Sequence, residues 1–319
     1  MGYDVIGDVH GNVDKLAGLL RKLGYGYHGG AWQHPTRTAV FLGDFVDRGP
    51  SQVATYRLVR AMIDRGKALA VMGNHELNAI AYHTPDGKGG FLRNHSTKNE
   101  SQHRAFLDEV EDDAGLYKEI IDWFLDLPLW LDLPEIRVVH ACWDDELMRG
   151  IGAKLRPGNK LSRELMPDAT TGKCNSYRAD GYPRENNPLF RAVETLLKGV
   201  EMDLPEGASY LDKDGHKRDS VRMQWWNSRE GTFLELGLLP ADQRSLLPPL
   251  PVPSGVLPGY ASKKSLFLGH YWMTGQPSLL APTIACVDYS AGKGGPLVAY
   301  RWSSENSLVE SNFVQSYAS

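Results

Sequence analysis

Gly43-Asp44-Phe45-Val46-Asp47-Arg48-Gly49 is the stretch from which the rest of the chain can be read. It follows Thr38–Leu42, a run with the composition of a buried strand. The two bracketing glycines suit a backbone that turns sharply beside a ligand. Two carboxylates and one guanidinium thus stand at the C-terminal end of a strand, where open α/β sheets place their ligands. A carboxylate suits a hard cation and an Arg fork suits a phosphate. Taken alone, the same residues would serve as a charged turn closed by an Asp–Arg pair, so the neighbouring stretches decide.

Upstream, the strand Tyr3–Ile6 ends in Gly7-Asp8-Val9-His10-Gly11. A helix capped near Asn12 or Asp14 follows, with Leu16, Leu19, Leu20 and Leu23 at helical spacing and Gly24 as its stop. Gly24–Pro35 reads as glycine-rich loop. Downstream, Pro50-Ser51 opens a second helix with Val53, Val59, Met62 and Ile63 inward, closed by Gly66. The strand Ala68–Met72 then delivers Gly73-Asn74-His75-Glu76. Strands alternating with helices of this length predict βαβ units and a parallel sheet.

Farther out, His83–Ser101 is polar, rich in glycine and without periodicity, an insertion loop that extends to about residue 113. Ala114–Asp126 is amphipathic helix, and Ile136–Val139 is a strand ending in His140. Residues 145–262 read as a second insertion. It contains a helix at Phe190–Leu197, a hairpin over Ser209–Trp226 turning at Asp212–Gly215, and a proline-rich surface segment, Pro240–Pro258. Ser265–Leu268 is a strand ending in Gly269-His270, and Thr283–Val287 and Pro296–Trp302 are further strands.

The bulk properties narrow the function class. The chain has 319 residues, a net charge of −4, 42% hydrophobic and 23% charged residues, so neither a nucleic-acid nor a membrane partner is expected. Cys142, Cys174 and Cys286 are odd in number and scattered, which fits buried thiols in a reducing compartment. No apolar run approaches the ~18 residues of a membrane span. A cytoplasmic location is the expectation.

Asp8, His10, Asp44, Asn74, His140 and His270 stand at the ends of five expected strands. A lone histidine or asparagine at such a place is more often a satisfied core or turn residue, but this many coincidences call for one explanation. Mixed O and N donors without a thiolate suit Mn, Fe or Zn. An aspartate shared between two half-sites can bridge two cations, and a pair roughly 3.5–4 Å apart can hold a hydroxide for in-line attack at phosphorus.

The boxes Gly7–Gly11, Gly43–Gly49 and Gly73–Glu76, followed by Val139-His140 and Gly269-His270, resemble the phosphoprotein phosphatase (PPP) branch of the calcineurin-like metallophosphoesterases. Ala285–Asp288 and Gly294–Arg301 look like the closing hairpin of that family. The resemblance implies a single domain over residues 1–319, an α/β four-layer α/β/β/α sandwich with two mixed sheets. It implies two divalent metal ions, manganese first, with iron or zinc as alternatives. By motif position Asp8, His10 and Asp44 would bind one, and Asp44, Asn74, His140 and His270 the other. Arg48 would hold a phosphate oxygen, and His75, oriented by Asp47, would protonate the leaving oxygen. Arg222 and Arg229 lie in the interval where a second substrate arginine belongs.

His140-Ala141-Cys142 and Asp288-Tyr289-Ser290 depart from the eukaryotic phosphatases of the branch and look more like its bacterial members. The leading expectation is hydrolysis of phosphomonoesters, on phosphoprotein or small phosphoesters, from the six-ligand set with Arg48 and the Asp47–His75 pair; Glu76 after Gly-Asn-His, where the tetraphosphatases usually carry Asp, leans slightly the same way. The alternatives are a symmetrical dinucleoside tetraphosphate hydrolase and a non-catalytic binding module. Trp225-Trp226 and His270-Tyr271-Trp272-Met273 are candidate aromatic walls of the substrate pocket, with core packing as the competing reading.

Overall fold

A computed structural model describes residues 2–172, 176–184, 187–211, 217–227, 230–240 and 243–317. The chain divides into two compact units, Met1–Ala141 with Leu155–Pro167 and Lys263–Ser319, and Cys142–Lys154 with Asp168–Ser262.

The first unit contains two five-stranded mixed sheets. One runs Phe313–Ser316, Leu297–Trp302, Gly2–Ile6, Arg37–Phe41, Ala68–Ala70 in spatial order; the other runs Leu279–Ala281, Ile284–Cys286, Ser265–Leu268, Ile136–Val139, Trp130–Asp132. Each holds three parallel strands, Gly2–Ile6 with Arg37–Phe41 and Ala68–Ala70, and Ile136–Val139 with Ser265–Leu268 and Ile284–Cys286. Their inner faces share one apolar core, with Val5, Val40, Val298 and Tyr300 from the first sheet and Val138, Phe267 and Ala285 from the second. A large apolar side chain buried there contributes about 1.5–3 kcal/mol. That shared core is why the strand interiors read as nearly unbroken hydrophobic runs.

Five helices of this unit follow in chain order: α1 (Val13–Lys22), α2 (Gln52–Asp64), α3 (Asn74–His83), α4 (Thr97–Val110) and α5 (Ala114–Leu125). Parallel strands emit their C-terminal ends along one edge. The three motif loops therefore leave the first sheet together, as do His140, Gly269-His270 and Asp288 from the second.

Several sequence expectations are corrected. Gly24–Pro35 is no plain loop, since Gly26–His28 pairs antiparallel with Ala31–Gln33. The 83–113 stretch contains α4, whose buried face His103, Phe106, Leu107, Val110 was hidden inside a polar, glycine-rich context. The two segments read as a closing hairpin belong to different sheets, because Ile284–Cys286 pairs with Ser265–Leu268 while Leu297–Trp302 pairs with Gly2–Ile6.

The second unit has its own core, with Leu189, Val193, Leu196, Met202, Val221, Trp225 and Phe233 buried. Trp225 and Trp226 meet edge to face at 5.8 Å and are both buried, so they are core residues of this unit and no exposed wall. Tyr210–Leu211 pairs with Lys217–Arg218, and the expected turn at Asp212–Gly215 lies outside the described residues. Cys142 and Cys286 are buried free thiols; Cys174 also lies outside the described residues. Among the described residues no helix is long and apolar enough to cross a membrane.

Candidate metal centre

Asp44 is the centre of the cluster. Its Oδ2 lies 3.7 Å from His10 Nε2, 3.5 Å from His140 Nε2 and 3.9 Å from His75 Nε2. Two groups of possible ligands result, His10–Asp44–His75 and Asp44–His140–His270, with Asp44 common to both. Asn74 Oδ1 completes the second, 3.1 Å from His140 Nε2 and 2.8 Å from His270 Nδ1. Asp8 reaches the same place through its Oδ2, which accepts the His270 N–H at 3.1 Å. The structure thus brings together all six residues singled out as metal ligands. It also sets His75 Nε2 near Asp44, where motif position alone assigns only an acid.

Backbone carbonyls set the histidine tautomers. A carbonyl oxygen only accepts, so His10 Nδ1–H donates to Val46 (2.9 Å) and His140 Nδ1–H donates to Leu42 (2.6 Å). Each ring is left with its Nε2 directed at Asp44. The loops pay for this in backbone strain: His10, Asp44, Asp47, Arg48, His270, Trp272 and Ser290 all have positive φ, at about 1–3 kcal/mol each. Close approach also demands glycine. A Cβ on Gly269 would land on Asp8 Oδ1, and one on Gly73 would land on Asp44 Oδ1.

The donor set suits divalent cations. Asp8 Oδ1 and His10 Nε2 are buried without a hydrogen-bond partner. Burial, then Asp288, pushes the Asp8 carboxyl well above its usual range. Burial alone would depress His140, yet Asp44 and Asp8 outweigh it and raise the imidazole to about 10. The carboxylates therefore draw positive charge into the site. His10, by contrast, is lowered to about 4 by burial and the neighbouring His75, so it is neutral and offers a lone pair.

Around this cluster lies a second tier. His75 Nδ1 donates to Asp47 Oδ2 at 2.5 Å. Burial opposes protonation of His75, but Asp44 and the Asp47 bond raise its pKa above the ordinary value. Arg48 is exposed, with its guanidinium 4.5 Å from the Trp272 ring centroid. Trp272 stacks on His10 at 5.3 Å, and Lys293 Nζ lies 4.5 Å from the same indole.

Three contributors are not among the site residues expected from sequence. Asp288 accepts the N–H groups of Trp272 (2.7 Å) and Ser290 (2.9 Å), fixing both strained residues. Lys293 sits in a short turn with no charge pattern around it. His103 donates from Nδ1 to Asp47 Oδ1 at 2.7 Å; its only signal was its helical spacing to Phe106, Leu107 and Val110. Glu76 is placed differently from any substrate role. Its carboxylate accepts the N–H groups of Asp44, Phe45 and Gly73 at 2.7, 2.8 and 2.9 Å, stapling the second motif loop to the third. The residue that pointed toward phosphatases is engaged inside the scaffold and contacts nothing that could select a substrate.

Arg222 ends the strand Ser220–Arg222 of the second unit, opposite Glu201, whereas the whole cluster belongs to the first. Arg229 lies outside the described residues.

The sequence profile described as calcineurin-like phosphoesterase matches residues 1–160. A protein of Halalkalibacterium halodurans named Bis(5'-nucleosyl)-tetraphosphatase PrpE [asymmetrical] is 47% identical over 213 residues, which are 64% of this chain and 85% of that protein. The symmetrical Bis(5'-nucleosyl)-tetraphosphatase of Shewanella oneidensis is 32% identical over 156 residues, 47% of this chain and 48% of that protein. A solved protein serine/threonine phosphatase from Saccharomyces cerevisiae superposes with a TM-score of 0.47 at 14% identity, covering 100% of this chain and 80% of that one.

Proposed function

The chain belongs to the calcineurin-like phosphoesterases and is a metal-dependent phosphoester hydrolase, and on that footing we propose that it cleaves a phosphoanhydride of dinucleoside tetraphosphates. The observation that carries the chemistry is the shared carboxylate: Asp44 lies in both groups of candidate ligands. The choice of substrate is supported by the named relatives and by Arg48 and Lys293 flanking Trp272, two cations beside the cluster for a chain of phosphates.

Asp8, His10 and Asp44 would hold one divalent cation, and Asp44, Asn74, His140 and His270 the other. When bound, such ions supply Lewis acidity toward phosphoryl oxygens and lower the pKa of water. The chain's own groups do the rest. Arg48 offers its fork to the phosphate beside the bond that breaks. His75 keeps its Nδ1 proton on Asp47 and presents Nε2, from which a proton passes to the departing phosphate oxygen. Asp47, paired with that imidazole, stabilises its charged form and sets its plane. The Trp272 ring, stacked on His10, seats both cations beside the cluster.

The test is a digest of diadenosine tetraphosphate by protein freed of metal and reloaded in turn with Mn, Fe, Zn and Mg, with the products separated by chromatography. ATP and AMP are expected, in keeping with the asymmetrical relative; two ADP would move the reading to symmetrical cleavage. Turnover of aryl phosphates and phosphopeptides with none of the dinucleotide would return the protein to phosphomonoester hydrolysis.

A further inference from the structure

α4 grips the loop that carries Asp47 and Arg48 at two points. On one side His103, buried at 4% exposure, donates Nδ1–H to Asp47 Oδ1. On the other, Glu109 accepts the N–H groups of Gln52 (2.6 Å) and Val53 (2.9 Å), which open α2 directly after that loop. The Asp47 carboxylate is therefore held at both oxygens by two imidazoles, His75 on Oδ2 and His103 on Oδ1. Burial would raise the Asp47 pKa, but these two bonds outweigh it and hold the carboxyl well below its usual range. The His103 ring is itself walled in, 4.9 Å from Phe106 and 5.3 Å from Tyr82 by ring centroids. His95 stacks on Tyr82 at 3.8 Å and Phe91 stacks on His95 at 4.0 Å, so a ladder of rings backs the imidazole.

Burying a polar ring on the apolar face of a helix is costly unless it is hydrogen-bonded, and His103 bonds Asp47 through Nδ1 while its Nε2 is buried without a partner. Phe106, Leu107 and Val110 on the same face already supply the packing. A second donor on a carboxylate removes its freedom to rotate about the Cβ–Cγ bond, and with it the freedom of the His75 plane.

We propose that His103 is a positioning residue for proton delivery, which acts by locking the Asp47 carboxylate that orients His75, with Glu109 anchoring the same loop at its far end. The proposal rests on the reading of His75 as the leaving-group acid. The helix read from sequence as part of a loop insertion is then a working part of the site.

The experiment compares His103→Leu and His103→Asn with the parent protein in its metal-loaded state. The substrates are phenyl phosphate, whose leaving oxygen needs a proton, 4-nitrophenyl phosphate, whose leaving oxygen needs little help, and diadenosine tetraphosphate. In His103→Leu, kcat on phenyl phosphate should fall about tenfold, a part of the 10²–10⁴ a general acid supplies, with a smaller loss on 4-nitrophenyl phosphate and unchanged KM. His103→Asn places an N–H donor where Nδ1 stands and should recover most of the loss. Metal content should stay at the parent level in both. A second readout needs no turnover: the low-field proton of the His75–Asp47 bond, followed by NMR in histidine-labelled protein, should move in His103→Leu and stay in place in His103→Asn. Equal loss on the two aryl phosphates, loss accompanied by metal release, or a His75 proton unmoved in a folded His103→Leu would each overturn the proposal. A shifted proton in a protein that turns over none of the three substrates would leave the positioning intact and sink the functional reading instead.

Discussion

The strand-end loops and helix α4 both build this site, and they do so by opposite means. Asp8, His10, Asp44, His140 and His270 sit on short segments at strand ends and Asn74 opens α3, with His10, Asp44 and His270 held at positive φ. Their side chains have almost no freedom because the backbone has none. α4 is a regular helix, capped by Ser96 accepting the Asn99 N–H, and it holds the loop of Asp47 through His103 and the start of α2 through Glu109. Ligands that must meet around highly charged ions need a rigid frame on several strands. Orienting one carboxylate needs only a hydrogen bond from whatever element passes by.

Substitutions put this contrast to the test. The largest effect is expected at Asp44, the residue common to both ligand groups: Asp44→Asn should lower kcat/KM by roughly 10³-fold and reduce bound metal measured by elemental analysis. Retained metal and full turnover would remove the bridging role. His75→Asn comes next, with about 10²–10⁴ lost in kcat on poor leaving groups and metal affinity little changed; a large loss of metal would instead place His75 among the ligands, as its 3.9 Å approach to Asp44 allows. Glu76→Gln should cost about 1–3 kcal/mol in denaturant unfolding, because an amide cannot accept all three N–H groups without turning an NH₂ toward one of them. The smallest effect is expected on the α4 side. Glu109→Ala removes the cap on α2 and should cost about 0.5–2 kcal/mol of stability with at most a severalfold change in turnover. If Glu109→Ala impaired turnover as deeply as His75→Asn, the division between frame and helper would fail.

Much of the strand-end frame was visible in the sequence because each box joins a β-rich run to a polar ligand in a fixed local order, with a glycine beside the ligand in all but the His140 box. Local order is what sequence displays. The two aromatic stretches show the limit. Trp225-Trp226 and Trp272 look equally suited to line a pocket, yet the pair is buried core while Trp272 stacks on His10. Exposure depends on what packs from elsewhere, which neither stretch records. Glu76 shows the same limit in another form. Its identity suggested a substrate preference, and its position makes it a staple between two loops.

From the sequence alone came the strands that bear the ligands, the ligand types and hence the hard-cation, phosphate chemistry, since these depend on residue identity and near-neighbour spacing. What came only from the packing is that Asp288 and Glu76 hold the loops and that His103 reaches Asp47 across 56 positions of chain. Those facts belong to side chains meeting across distant elements, where direction and burial are set by the packing of whole sheets and helices and leave no mark on the local pattern.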